Sequence, residues 1–449
     1  MKKFAELIKI YFGIHSQISG MRHKGGGCMT KILACGKVFT GETNKVFSRG
    51  AVAVQDNEII DIDVDSQNPG EELKKKYPEA EYYDLSGHTV LPGLIDSHIH
   101  LDLHGMADTF DENFVEDKLR SIRASRAMED TLFSGFTTVR NCGSVNWIDI
   151  SVKEAVRRGI INGPRILTSG KILSITSPGS EYFYGLYREA DGYDGFKLAA
   201  REQLKMGADL LKLMATGAIM NPGGVPGATQ PDEKEIKAIV REAKKLNKKV
   251  AAHAHGAEGI KNAVRAGVDT IEHGTFADNE SHELMVEYGV YLVPTLAPDY
   301  FMSKHGKEGG VASFIVDKLK KKREARLEAL DRAIETGVKI ACGSDAGTPY
   351  NYHENNAQEL KVLVSEGLLS PGEAIRSATQ YSAEACGLLD ELGTISQEKK
   401  ADIIAVDGDP TENIDVLTDK DNIRFVMKDG EIVKDQRSGK HSSISSQSA

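Results

Sequence analysis

Three textures of apolar and polar residues follow one another along the chain. Over residues 31–90, short apolar stretches alternate with turn signals. Lys31-Ile32-Leu33-Ala34, Ala51-Val52-Ala53-Val54 and Glu58-Ile59-Ile60-Asp61 are set apart by Gly41-Glu42 and Asp56-Asn57, the pattern of a small β-sheet. Over residues 93–389 the rhythm changes to apolar β runs separated by amphipathic helical stretches. The runs are Leu94 to His98, Thr137 to Arg140, Arg165 to Thr168, Leu210 to Met214, Val250 to His253, Thr270 to His273, Tyr291 to Pro294 and Lys339 to Gly343. Between them, residues 232–246 carry Ile236, Ile239, Val240 and Ala243 on one helical face. Eight β-then-α units predict an α/β chain folded as a (β/α)8 TIM barrel. After Gly393 the β texture returns. Ala401 to Val406 reads as a buried strand, and Arg424-Phe425-Val426-Met427 and Glu431-Ile432-Val433 flank the hairpin turn Lys428-Asp429-Gly430. Neither flank is large enough to stand alone. Residues 29–92 and 390–436 are therefore predicted to join into one small β-sandwich domain beside the 93–389 barrel.

The two ends read differently. In residues 1–28, Glu6 and Lys9 interrupt the only apolar stretch, which argues against a secretory signal. Leu7, Ile8, Tyr11 and Phe12 could form one turn-rich amphipathic helix, but a poorly ordered extension is the expectation. Strand-like sequence begins right after Met29, so translation starting there is a reading that the intact mass of the native protein would test. Residues 437–449 are Ser-rich and are expected to be disordered.

Composition narrows the function classes. The chain has 449 residues, 27 % charged and 40 % hydrophobic, ordinary for a soluble globular protein. Lys+Arg 56 against Asp+Glu 66 leaves −10, which argues against nucleic acid as a partner. No apolar run approaches the ~18 residues of a membrane span. The five cysteines are Cys28, Cys35, Cys142, Cys342 and Cys386. They are odd in number and form no CxxC pair, as expected of a reducing cytoplasm. A small-molecule or dipeptide substrate is the expected partner, and a homo-oligomer is compatible with all of this.

The chemistry gathers at the strand ends. His98-Ile99-His100 closes the first run and His253-Ala254-His255 the fifth; His273 closes the sixth, Asp345 follows the eighth, and Lys212 lies in the fourth. Alternation puts both imidazoles of an HxH on one face of a strand, and barrel enzymes carry their reactive groups at the C-terminal strand ends. Imidazoles and a carboxylate converging there suit zinc or a similar divalent metal. Any one of these residues has an ordinary structural reading: a core histidine, or a helix N-cap for Asp345. Their common placement on different strands is what points to a metal. Lys212, among Leu210, Leu211, Leu213 and Met214, is costly as a buried ammonium beside a metal. It either snorkels, pairs with an acid, or reacts with carbon dioxide to give an anionic carbamate able to bridge two cations.

These residues stand in recognisable motifs. Leu91-Pro92-Gly93-Leu94-Ile95-Asp96-Ser97-His98-Ile99-His100 resembles the first-strand signature of the amidohydrolase superfamily. Leu211 to Gly217, Val250 to Gly256, Ile271-Glu272-His273-Gly274 and Gly343 to Pro349 resemble its imidazolonepropionase-like and Xaa-Pro dipeptidase (prolidase-like) branch. The resemblance spans residues 29–435. It implies a (β/α)8 barrel with a composite β-sandwich and two Zn2+. His98, His100 and Asp345 would hold one metal and His253 and His273 the other, with carboxylated Lys212 and a hydroxide bridging them. It further implies hydrolysis of C–N bonds, with Asp345 as the catalytic base and then acid. His255 is then left to contact substrate. Xaa-Pro-like dipeptides or N-acyl amino acids are the implied substrates, and Arg140 could bind their carboxylate, or form an ion pair within the barrel. Relatives often carry Gly-Gly-His after strand three. This chain has Ser174-Ile175-Thr176-Ser177-Pro178-Gly179-Ser180 instead, followed by Tyr182, Phe183, Tyr184 and Tyr187, which could form an aromatic pocket with Tyr184 at the substrate. The stretch from Met220 to Gly227 is expected to form a mobile rim. Two alternatives remain. His255-Gly256-Ala257-Glu258 has the HxxE spacing of mononuclear zinc deaminases, with Glu258 as proton shuttle; a cyclic-amide (imidazolonepropionase-like) hydrolase is the other.

Overall fold

The computed structural model describes residues 29–437. The extension 1–28, its candidate helix, and the tail beyond 437 lie outside the described residues. Five strands come first: β1 (Lys31–Phe39), β2 (Val46–Phe47), β3 (Gly50–Gln55), β4 (Glu58–Asp63) and β5 (Glu81–Pro92). The middle of the chain carries β6 (Leu94–Ile99), β7 (Phe136–Asn141), β8 (Arg165–Leu167), β9 (Ile172–Ser174), β10 (Tyr187–Glu189), β11 (Leu210–Met214), β12 (Lys249–Gly256), β13 (Thr270–Phe276) and β14 (Tyr291–Val293). Three more follow: β15 (Ile403–Val406), β16 (Ile423–Lys428) and β17 (Glu431–Asp435).

Both ends of the chain share one eight-stranded sheet, ordered β17-β16-β15-β5-β1-β3-β4 with β2 beside β1. The long strand β5 joins the halves. It runs parallel to β1 and pairs antiparallel with β15 through Val90↔Ala405 and Leu91↔Ile404. Alternation along β15 explains its uninterrupted apolar run. Ile403 and Ala405 enter a core with Leu33, Val52, Leu85, Phe425 and Met427. Ile404 and Val406 enter another, with Leu94, Leu132 and Phe136 of the barrel side. The sheet is thus buried on both faces there, and one face is covered by the barrel. Burying such a side chain contributes about 1.5–3 kcal/mol, so neither flank is stable without the other and the barrel.

The barrel strands run in two parallel sheets, β6-β7-β8 and β10-β9-β11-β12-β13-β14. The gap between β8 and β11 is closed at Thr168, whose carbonyl accepts from Asp209 N (2.7 Å) and Leu210 N (3.3 Å). The eighth run is not a ladder strand but an extended segment bonded on both sides. Ala341 N donates to Leu292 O (2.9 Å), Ser97 N to Cys342 O (2.8 Å) and His100 N to Ala346 O (2.9 Å). Gly343 is required in it: an added Cβ would lie 2.3 Å from Val293 and 2.7 Å from His98 side-chain atoms. The helix predicted at 232–246 is Glu233–Lys244, opened by a capping box between Asp232 and Glu235. The four described cysteines are all free and buried. Among the described residues no helix is long and apolar enough to cross a membrane.

Candidate functional site

Seven of the residues read from the sequence reach one cavity. His98 and His100 (end of β6 and just beyond), Lys212 (β11), His253 and His255 (β12), His273 (β13) and Asp345 (after the eighth run) all line it; the six are those expected to hold metal, and His255 accompanies them. Ring centroids lie 5.5 Å apart for His98 and His100, 5.2 Å for His98 and His273, 4.5 Å for His253 and His273, and 4.9 Å for His255 and His273. Asp345 Oδ1 is 3.6 Å from His98 Nε2 and 3.5 Å from His100 Nε2. These gaps are long for hydrogen bonds. They approach the ~3.3 Å ligand-to-ligand edge that a tetrahedron with ~2.0–2.1 Å bonds would have.

The imidazoles are turned by partners behind them. His98 Nδ1 donates to Glu272 Oε2 (2.6 Å) and His100 Nδ1 to the Gly143 carbonyl (3.1 Å). His255 Nδ1 and His273 Nδ1 are hydrogen-bonded to Thr275 Oγ1 and Thr295 Oγ1, both at 2.7 Å. With Nδ1 donating to an acceptor-only partner, Nε2 of His98 and of His100 keeps a lone pair for a cation. Burial, reinforced by the charge of Lys212, pushes His98 and His100 down to about 4, so the rings are neutral at pH 7. His253 Nε2 and Lys212 Nζ are buried without a hydrogen-bond partner among the described residues. A donor set of imidazoles and a carboxylate, with two buried nitrogens unsatisfied at its centre, fits one or two divalent cations.

Two groups of three ligand atoms lie within 4.8 Å of one another: His98, His273 and Asp345, and His98, Cys142 and Glu272. The second is already satisfied internally. Glu272 accepts from Arg140 Nη2 (2.8 Å) and from Thr270 Oγ1, besides His98. Burial opposes its ionisation, but Arg140 and Lys212 outweigh that and hold its carboxyl well below the usual range. Burial pushes the Cys142 thiol up to about 12, so it offers no thiolate.

Three residues of the site carry backbone strain. His273 (φ +74°), Thr295 (φ +53°) and Asp345 (φ +53°) occupy the left-handed region, at a cost of order 1–3 kcal/mol each. For β-branched Thr295 this is an outlier. Arg326 holds it there, through Nη2 to the Pro294 carbonyl, to Thr295 O (2.6 Å) and to Thr295 Oγ1 (3.0 Å).

Two expected substrate contacts lie elsewhere. Arg140 is 1 % exposed and absent from the cavity lining. Its Nε donates to Ser97 O (2.5 Å) and its guanidinium neutralises Glu272. A buried carboxylate behind His98 needs that counter-charge, so the ion-pair reading of Arg140 replaces the substrate one. Tyr184 is 77 % exposed and also outside the lining. A short 3-10 turn, Ser180–Phe183, carries it outward and turns Phe183 in, and Phe183 and Tyr187 line the cavity. The rim at Met220 to Gly227 is tied down by Lys318, whose Nζ donates to Ile219 O (3.2 Å), Asn221 O (2.9 Å) and Gly224 O (2.7 Å). Glu258, the shuttle of the HxxE reading, is 70 % exposed and paired with Lys261 at 2.5 Å.

Sequence reasoning missed the cations on the helix Ser313–Thr336. Lys322 and Arg326 are both buried and line the cavity. They stand in the charge-dense run Asp317 to Arg326, which hides them. The helical period was the available signal: Ile315, Leu319, Lys322, Arg326 and Leu330 fall on the buried face. Glu272 was missed as well, although it directly precedes His273.

An amidohydrolase family model matches residues 89–433. Ochratoxinase of Aspergillus niger is 29 % identical over 434 residues, covering 90 % of this chain and 86 % of its own. A crystal structure of a Xaa-Pro dipeptidase with methionine bound in its active site superposes with a TM-score of 0.81 at 35 % identity, covering 90 % of this chain and 100 % of that one. A prolidase complexed with N-methylphosphonate-L-proline gives a TM-score of 0.82 at 33 % identity, covering 91 % and 100 %.

Proposed function

The chain belongs to the amidohydrolase family and is a hydrolase of carbon–nitrogen bonds, and on that premise we propose that it cleaves the amide bond of Xaa-Pro-like dipeptides or N-acyl amino acids at a two-zinc centre. His98, His100, His253, His273, Asp345 and Lys212, the last as its carbamate, would hold the metals. The observation that carries this reading is Lys212 Nζ, buried and unpartnered in a cavity shared with five imidazoles and a carboxylate. A simple ammonium there is penalised by desolvation; a carbamate reverses its charge and supplies two oxygen ligands. When bound, the metals would supply Lewis-acid polarisation of the scissile carbonyl and a nucleophilic water at neutral pH.

The chain's own groups do the rest. Asp345 accepts the proton of the attacking water and delivers it to the leaving nitrogen as the C–N bond breaks, so the products are a carboxylic acid and an amine. Glu272 and Arg140 fix the orientation and tautomer of His98 from behind. Phe183, Leu186, Met214 and Met302 surround the site with apolar surface, which limits competing water. The outward-facing Glu258 disfavours the deaminase reading. The dipeptidase and prolidase relatives support the dipeptide class, and the ochratoxinase supports an amidase more broadly.

The test is a panel of dipeptides and N-acyl amino acids offered to zinc-loaded protein, with metal analysis of the same sample. Turnover with about two zinc per chain is expected. One zinc with deamination would favour the mononuclear alternative. Inactivity across the panel would move the substrate to lactams or other cyclic amides.

A pH dependence follows from the buried imidazoles. A depressed pKa favours the neutral, ligating form, so protons compete with a cation for His98 and His100 only as pH approaches about 4. Bound metal per chain, measured after equilibration at each pH, is expected to stay constant from about pH 8 down to about 5 and to fall below that. Loss that begins near the ordinary histidine value of ~6.5 would mean that these rings titrate as if exposed or that the acid-labile Lys212 carbamate is lost first.

A further inference from the structure

With Arg140 committed to Glu272, the cavity must carry another cation if its substrate has a free carboxylate. We propose that Lys322 is that anchor: its ammonium binds the substrate's carboxylate inside the cavity that holds the histidine cluster, and makes a free acid group a condition of good binding. The proposal rests on the amide-hydrolase reading for the identity of the substrate, but not for the anchor itself.

Lys322 is 2 % exposed and lines the cavity with His98, His253, His255 and Asp345. Its Nζ has no hydrogen-bond partner among the described residues. The nearest carboxylate oxygen, Asp299 Oδ1, is 3.6 Å away, too far for a hydrogen bond. Asp299 is instead engaged by Arg326 Nη1 at 2.8 Å through its other oxygen. Arg326, one helical turn from Lys322, is occupied by Asp299 and the Pro294–Thr295 backbone. Arg326 thus spends Nη1 and Nη2 on the wall and keeps only its Nε unpartnered, whereas the whole ammonium of Lys322 lacks a hydrogen bond among the described residues. The 3.6 Å ion pair with Asp299 offsets only part of the cost of burying this ammonium, and a second anion within hydrogen-bond reach would offset more. The charge of Lys322 is felt at His253 and His255 and that of Asp345 at Lys322, in keeping with its place in the shared lining. Burial pushes Lys322 down to about 7 against the pull of Asp299, and a bound carboxylate would restore its charge. The remaining wall is apolar, with Phe183, Leu186, Ile219 and Met302. The ligand that fits both features is an amide with a carboxylate at one end and an apolar side chain at the other.

The test pairs acid and neutral forms of one ligand, an N-acetyl amino acid with an apolar side chain and its C-terminal carboxamide. Zinc-loaded wild-type, Lys322→Met and Lys322→Arg proteins are compared by calorimetric binding and by the KM and kcat of each form. A charge-assisted contact of about 1.5–3 kcal/mol corresponds to a preference of roughly 10–150-fold. The wild type is expected to prefer the acid by that margin, mainly through KM, and Lys322→Met to bring the preference within about threefold. Lys322→Arg is expected to keep part of it. A purely structural Lys322, paired with Asp299, predicts the opposite pair of results: lower thermal stability in Lys322→Met and an unchanged preference. That outcome, or a wild type that binds acid and amide equally, overturns the proposal. A wild type that binds the acid preferentially but hydrolyses neither form keeps the anchor and removes N-acyl amino acids from the proposed substrates.

Discussion

Asp345→Asn protein is expected to hydrolyse amide substrates about 10²–10⁴-fold more slowly than the wild type, the range that a positioned general acid–base supplies. Asparagine keeps the shape and one oxygen, so the fall should appear in kcat more than in KM. The carboxylate stands where such a group must act. Its Oδ1 lies 3.5 and 3.6 Å from the two first-strand imidazoles, and its backbone is held at φ +53° by Asp345 N donating to His98 O at 2.7 Å. Steady-state kinetics combined with metal analysis of the same preparation separates proton transfer from ligation. Loss of rate at full metal content identifies the proton carrier; loss that tracks metal content identifies a ligand only. Wild-type rates in Asp345→Asn would remove Asp345 from the mechanism.

Lys212→Met is expected to lower bound metal from about two per chain to one or none, and activity at least about a hundredfold, more than loss of a group behind a ligand typically costs. Methionine matches the volume of lysine and leaves β11 packed between β9 and β12. The Lys212 ammonium lacks a hydrogen bond among the described residues but helps hold Glu272 ionised, so the metal-free variant is expected to keep a denaturant midpoint close to that of the metal-free wild type. Lost metal at a retained midpoint is a combination that a misfolded variant cannot imitate. A carbonyl resonance from isotope-labelled bicarbonate, present in the metal-loaded wild type and absent in the variant, would report the carbamate directly. Full metal and full turnover in Lys212→Met would falsify the bridging role.

Much of the fold was legible because the relevant signals are local. Short apolar runs located β6, β7, β8, β11, β12, β13 and β14 within a few residues, since a parallel strand covered on both faces is apolar on both. The eighth run was legible as sequence but not as a ladder, because its bonds are divided between β14 on one side and β6 on the other. The long strand β5 was not singled out: Glu81, Tyr82, Tyr83 and Asp84 at its start are polar or half exposed, and its partners arrive from both ends of the chain. Of the site, the HxH pairs, His273, Lys212 and Asp345 could be named from position on strands. Phe183 and Tyr187 emerged from an aromatic loop in which nothing local separates inward from outward side chains.

The sequence by itself determined which histidines, lysine and aspartate meet in one cavity, because residues on strands inherit the strand's period of two and barrel strands end at a common rim. Only the tertiary structure decided what each charge faces. Arg140 reads as a binding cation until Glu272, 132 positions away, is seen to neutralise it. Lys322 reads as one of many solvated lysines until the helix is docked over the cavity. Burial and counter-charge are properties of the neighbours that folding supplies, and they set the energy of an ionised group more strongly than its own sequence context does.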